Sequence, residues 1–87
     1  MSDIEVAYIQ WRDAHGGQGQ YELKYAQKSE MDEMYTAGIM VAENDDCITV
    51  VQDRFKASDE PMQVRCFETI PKVNIKVMRK WRPKGVA

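Results

Sequence analysis

Five runs of alternating β-branched and aromatic residues, separated by polar or glycine-rich punctuation, constrain this chain more than any other feature. Successive side chains of a strand point to opposite faces, so such runs read as strands. The first run covers residues 3–12. Ile4, Val6 and Tyr8 share one face; Ala7, Ile9 and Trp11 share the other. Apolar residues on both faces predict a strand covered twice near its end. Residues 13–19 follow as a loop, because glycines at 16, 17 and 19 favour conformations other residues avoid. Residues 35–43 make a second strand and residues 47–55 a third. The intervening Asn44, Asp45 and Asp46 form a tight turn, since Asn and Asp bond their own backbone. A polar loop at 56–61 leads to a fourth strand at 62–69. Met62, Val64 and Cys66 face one way there, and Gln63, Arg65 and Phe67 the other. Ile70, Pro71 and Lys72 interrupt the pattern, because proline lacks a ladder donor. The fifth strand spans 73–80, with Val73, Ile75 and Val77 inward and Asn74, Lys76 and Lys80 outward.

Residues 20–34, between strands one and two, read as a short helix over 20–29 or an irregular arm. The acidic stretch 30–34 reads as solvated. With 87 residues there is room for one domain, over 1–82, followed by a flexible tail at 83–87. A chain this short buries only about 60–65% of its unfolded surface. Closing the sheet hides its edges. The expected fold is therefore mainly β: a five-stranded, strongly bent small β-barrel.

Charge is distributed unevenly. Net charge is −2, yet residues 1–71 hold all 14 acids and six bases, a balance of −8. Residues 72–87 hold the other six bases (Lys72, Lys76, Arg79, Lys80, Arg82 and Lys84) and no acid, a balance of +6. No apolar run approaches the ~20 residues of a membrane helix. The acidic start Met1-Ser2-Asp3-Ile4-Glu5 lacks the shape of a signal peptide. A cytoplasmic protein with no membrane partner is expected. Cys47 and Cys66 are far apart with no CxxC spacing. They read most simply as small core residues, with a disulfide or a metal or redox role as alternatives.

Several clusters carry possible chemistry. Asp13-Ala14-His15 holds the sole histidine, beside Gly16-Gly17. His15 reads as a base, as a ligand or partner contact, or as plain loop structure. Asp13 serves equally as a backbone-bonding turn residue. No nucleophile, phosphate loop, zinc motif or hydrolase motif accompanies them, so no catalytic residue, cofactor or metal is expected. Glu43, Asp45 and Asp46 read as solvated turn acids, because calcium sites need about six or more oxygens. If strands four and five are neighbours, Arg65, Phe67, Lys76 and Lys80 form a basic face. Trp81 follows among Arg79, Arg82 and Lys84. Cations neutralise phosphates and aromatics stack on bases, which suits single-stranded nucleic acid or a nucleotide. Protein contact and simple protection of an edge strand are the other readings. Strand two is apolar on both faces, with Ala37, Ile39 and Val41 opposite Met40 and Ala42. Its second face must meet the 20–34 arm or another subunit, so a homo-oligomer is expected. A basic terminus and an acidic body also suit head-to-tail contact between copies.

Trp11-Arg12-Asp13-Ala14, Gly38-Ile-Met-Val-Ala-Glu43, Asp45-Asp46-Cys-Ile48, Gln52-Asp53 and Ile70-Pro71-Lys72-Val-Asn-Ile75 together resemble a group of short phage and prophage proteins. The shared pattern runs W-x-D-A, a linker, V-G-x-x-x-x-E-x-D-D-x-I, then I-P-K-x-x-I. This chain departs from it in having Ala37 where Val or Ile is usual, and in its basic finish. The resemblance implies a Sm-like or Src-homology-like barrel and a cytoplasmic accessory role, without a transferable activity. The expectation is a non-enzymatic, oligomeric protein that binds and blocks or sequesters a host component. The sharpest version is a defence protein or a nucleotide signal held between subunits by Trp11, Asp13, His15, Arg65, Lys76 and Arg79. The alternative is a Sm-like nucleic-acid-binding module using Lys76, Arg79, Lys80, Trp81 and Arg82.

Overall fold

A computed structural model describes residues 4–14 and 18–84. Five antiparallel strands form one sheet: β1 (Val6–Asp13), β2 (Asp32–Glu43), β3 (Cys47–Phe55), β4 (Gln63–Pro71) and β5 (Ile75–Trp81), in the order β4-β3-β2-β1-β5. One short helix, α1 (Leu23–Gln27), lies between β1 and β2, and a single 3-10 turn, Lys72–Asn74, joins β4 to β5. The sheet is open. β4 and β5 are its two edges, and no ladder joins them among the described residues.

β2 serves two partners with its two halves. Residues 32–39 pair with β1, from Val6↔Ile39 to Asp13↔Asp32. Residues 39–43 pair with β3, from Ile39↔Val51 to Glu43↔Ile48. A bulge at Val41, between the Met40↔Val50 and Ala42↔Thr49 pairs, sharpens the bend. Gly38 lies close against the β3 backbone. A Cβ there would stand 2.8 Å from the Val51 carbonyl oxygen and 3.3 Å from the Val50 Cβ, so only glycine fits without backbone movement.

The core is small. Ala7, Ile9 and Trp11 of β1 meet Ile48, Val50 and Ile70, with Met34, Met40, Ile75 and Met78 packed around them. The β2–β3 turn is built on Asn44, whose Oδ1 accepts the backbone N–H of Asp46 at 2.8 Å and of Cys47 at 2.9 Å. The Lys72 N–H donates to the Asp46 carbonyl at 2.8 Å, tying the 3-10 turn to that hairpin.

Several expectations are corrected. β2 begins at Asp32, so residues 32–34 are strand rather than solvated arm, and Met34 packs on the core. Asp32 and Glu33 point to opposite faces but are both exposed at the end of a strand paired there only with β1, which imitates a loop in sequence. β4 runs through Ile70 and Pro71, because Pro71 pairs opposite Cys47 at an open edge. The break falls at Lys72–Asn74 instead, and Val73 is 93% exposed rather than inward. Trp11 pairs with Ile75 but Gln10 with Val77, leaving Lys76 as a bulge. That extra residue moves Val77 to the outer face and lets Met78 pack on the core. Cys66 is exposed with φ 58°, and Val64 and Met62 are exposed too, so the predicted inner face of β4 is not a core face.

The molecule is extended. Its radius of gyration is 17.0 Å and its longest dimension 56 Å, against ~12 Å for a compact chain of this length. The registers show one contribution. β2 stops pairing with β3 at Ile39↔Val51, while β3 and β4 continue together to Phe55↔Gln63. The far half of the β3–β4 hairpin therefore leaves the sheet as a two-stranded finger.

Candidate binding surfaces

Paired residues on neighbouring strands share a face. Ala7, Ile9 and Trp11 face the core, so Val6, Tyr8 and Gln10 form the middle of the opposite, outer face. Registers then place three rows across that face: Trp81–Val6–Ile39, Arg79–Tyr8–Ala37 and Val77–Gln10–Tyr35. Val6, Tyr8, Ile39 and Val77 are half-buried, whereas Tyr35 and Trp81 are exposed. The first row continues through Val51 to Phe67 on β4. Val51 is buried but does not belong to the main core cluster.

The second surface is the finger. Phe67 is 70% exposed, and Phe55, Met62 and Val64 are exposed with it. The Arg65 guanidinium lies over the Phe55 ring at 5.2 Å from its centroid, a contact that stiffens an otherwise thin hairpin.

The third lies where β1 and β2 begin to diverge. An open cavity of about 490 Å³ is lined by Arg12, Glu30, Met31 and Glu33. Glu33 Oε1 accepts from Lys76 Nζ at 3.1 Å and from Arg12 Nε at 3.2 Å. The Lys76 hydrogen bond, followed by the charges of Lys76 and Arg12, holds the Glu33 carboxyl below its ordinary value. Asp13 ends β1 here, opposite Asp32. With Glu30 and Glu33 added to these two acids, the cavity does not favour a phosphate.

A second carboxylate performs the same service at the other end of β5. Glu43 Oε2 accepts from Lys72 Nζ at 2.8 Å and Oε1 from Lys80 Nζ at 3.0 Å. The Lys72 bond first, then the Lys80 bond, lowers the Glu43 carboxyl, while the bond to Glu43 raises the Lys80 ammonium. Glu33 and Glu43 thus pair with Lys72, Lys76 and Lys80, half of the basic finish.

The expected site residues do not converge. Trp11 is 2% exposed, and its indole N–H donates to Thr36 Oγ1 at 2.9 Å, so it is a core residue with its polar atom satisfied. Arg65 and Phe67 lie on β4, at the opposite edge of the sheet from Lys76, Arg79, Lys80 and Trp81 on β5. The single basic face expected from neighbouring strands four and five is therefore two separate surfaces. Asp13 and Lys76 share the cavity end; Arg79 and Trp81 share the outer face. Arg82 is exposed just beyond β5 and has a partner of its own. His15 lies outside the described residues. Sequence reading missed Tyr8 and Tyr35 as outer-face aromatics and Glu33 and Glu43 as partners of the β5 lysines. The signal for the first was the outer alternation of β1; for the second there was none, because both contacts are long-range.

Among the described residues, no group of three or more His, Cys, Asp or Glu is placed to hold a metal ion. Among them too, no helix is long and apolar enough to cross a membrane. No protein-family model matches the chain, and no curated protein or solved structure matches it.

Proposed function

We propose that this chain is a non-catalytic binding protein that masks a protein partner with the β3–β4 finger. The observation that carries this reading is the exposed Phe55, Met62 and Val64 on a hairpin that projects beyond the last β2–β3 pair, with the exposed Phe67 at its base opposite Val51. A projecting apolar element costs solubility and stability unless something covers it. A two-stranded ribbon with open edges and aromatic side chains fits a protein groove or sheet edge. The resemblance to phage accessory proteins makes a host component the proposed target, held and blocked rather than chemically altered. The strand order and the 3-10 turn before the last strand support a relationship to Sm-like and Src-homology-like barrels, here with the sheet left open.

The nucleic-acid reading is the weaker of the two. Lys72, Lys76 and Lys80 already hold carboxylates, so a phosphate must compete with Glu43 and Glu33 for them. Affinity capture from host lysate separates the readings. Wild type is expected to retain a protein that Val64→Ser loses, with little dependence on salt. Retention of nucleic acid that falls linearly in log–log form as salt rises, and that Arg79→Ala reduces, would replace the proposal.

A further inference from the structure

We propose that the outer face of β2, β1 and β5 is covered by the arm of a second copy, residues Tyr21, Glu22, Leu23, Lys24 and Tyr25, in a reciprocal two-fold dimer. This goes beyond the target-binding reading, which uses the finger. Both halves of the contact are uncovered within one chain. α1 buries no residue and has no side-chain cap at its start. Leu23 is 71% exposed, and Tyr21 and Tyr25 are exposed, stacked only on each other at 5.2 Å. A five-residue helix cannot sustain itself in water without packing. β1 and β2 lead into the arm at Asp13 and Asp32, the end of their ladder farthest from the Trp81–Val6–Ile39 row. The chain's own arm, which buries no residue, leaves Trp81 exposed and Val6 and Ile39 only half-buried in that row.

Charge selects the occupant. Among the described residues, the Arg79 side chain makes no hydrogen bond or ion pair, and it sits in the middle row beside Tyr8, flanked by Trp81. Glu22 likewise has no side-chain partner, and it sits between Tyr21 and Leu23. Glu22 is the one acid of residues 21–25 and can offer its carboxylate to the Arg79 guanidinium, while Lys24, two residues on, is exposed to solvent. The size is also right. Each copy gives one arm and one face, so Tyr21, Leu23, Tyr25, Tyr35 and Trp81 all count toward its share. These side chains are 48–71% exposed, so they leave roughly 450–700 Å² per partner to bury, which brings the two-fold contact to about the 1,000 Å² that a specific interface needs. Reciprocal exchange closes with two copies and leaves neither surface open.

Sedimentation of the full chain at micromolar concentration tests this, with circular dichroism confirming that each variant folds. Wild type is expected to be a dimer. Leu23→Glu, Glu22→Arg and Arg79→Glu should each weaken dimerisation by about tenfold or more. The double variant Glu22→Arg/Arg79→Glu should recover most of that loss, and Val64→Ser, in the finger beyond the last β2–β3 pair, should leave the dimer intact. A wild-type chain that stays monomeric overturns the proposal. So does a dimer indifferent to the arm variants, or a double variant weaker than both singles.

Discussion

β1 and β4 are near-equal in length and both alternate, yet they have opposite fates. β1 pairs on both sides and buries Ala7, Ile9 and Trp11. β4 is an edge and buries only Ile70. The apolar content of β4 is not lower in kind; Val64 and Phe67 simply have no layer to meet. β3 repeats the contrast within one strand. Ile48, Val50 and Val51 are buried beside β2, while the residues past Val51 have only β4 for company. Pairing on both sides makes a strand part of the fold. Pairing on one side leaves it available to a partner.

That contrast can be broken most forcefully in β1. Ile9 is fully buried, so Ile9→Ala should cost about 2–5 kcal/mol of stability by denaturant unfolding, while Phe67→Ala should stay within about 0.5 kcal/mol. Equal costs would mean that the finger is packed. Gly38→Ala comes next. Its Cβ would press on the Val51 carbonyl at 2.8 Å, and overpacking of this kind costs about 1–3 kcal/mol. An unchanged unfolding midpoint would show that the β2–β3 crossing is looser than described. Cys66 offers a sharper test inside the finger. Its φ of 58° is the left-handed region, so Cys66→Val should lose roughly 1–2 kcal/mol and Cys66→Gly should be neutral or stabilising. The reverse order would place Cys66 in ordinary strand geometry.

The smallest effect concerns the β5 clasps. Glu43→Gln removes the acceptor shared by Lys72 and Lys80 and should cost at most about 1 kcal/mol near neutral pH. Its pH signature is more telling. The folded-state carboxyls of Glu43 and Glu33 lie below their ordinary value of 4.5. Their contribution is therefore present above that value and lost as pH falls through the lowered folded value. Lys80 is raised above 10.5, so its contribution holds below that pH and disappears as pH climbs through the raised value. Glu43→Gln should flatten the alkaline loss and part of the acid loss. A variant with the wild-type profile at both ends would mean the clasp adds nothing.

Much of the core was legible before any coordinates. The alternation of Ala7, Ile9 and Trp11 and the apolar run from Ile48 to Val51 read directly as strands, because their partners impose a period of two. Asn44 declared its turn through its own backbone bonds. Other features left no local mark. The bulge at Lys76 exchanges the faces of Val77 and Met78 through the register of β1 against β5, which is a long-range property. The left-handed Cys66 has no glycine or asparagine to announce it. The basic face expected of Arg65, Phe67, Lys76 and Lys80 depended on strand order, and the order puts β4 and β5 at opposite edges. Trp11 looked like a binding aromatic beside Asp13 and His15, yet its bond to Thr36 is made across β2, 25 residues away.

Residue-resolved amide hydrogen exchange on the dilute, partner-free chain tests the division between core and finger most directly. The amides of Ala7, Ile9 and Val50 should exchange only through global unfolding, and those of Asp53, Phe55 and Val64 by local opening that is orders of magnitude faster. Addition of a captured partner should slow the second group alone. Finger amides as protected as those of β1 in the isolated chain would contradict the account.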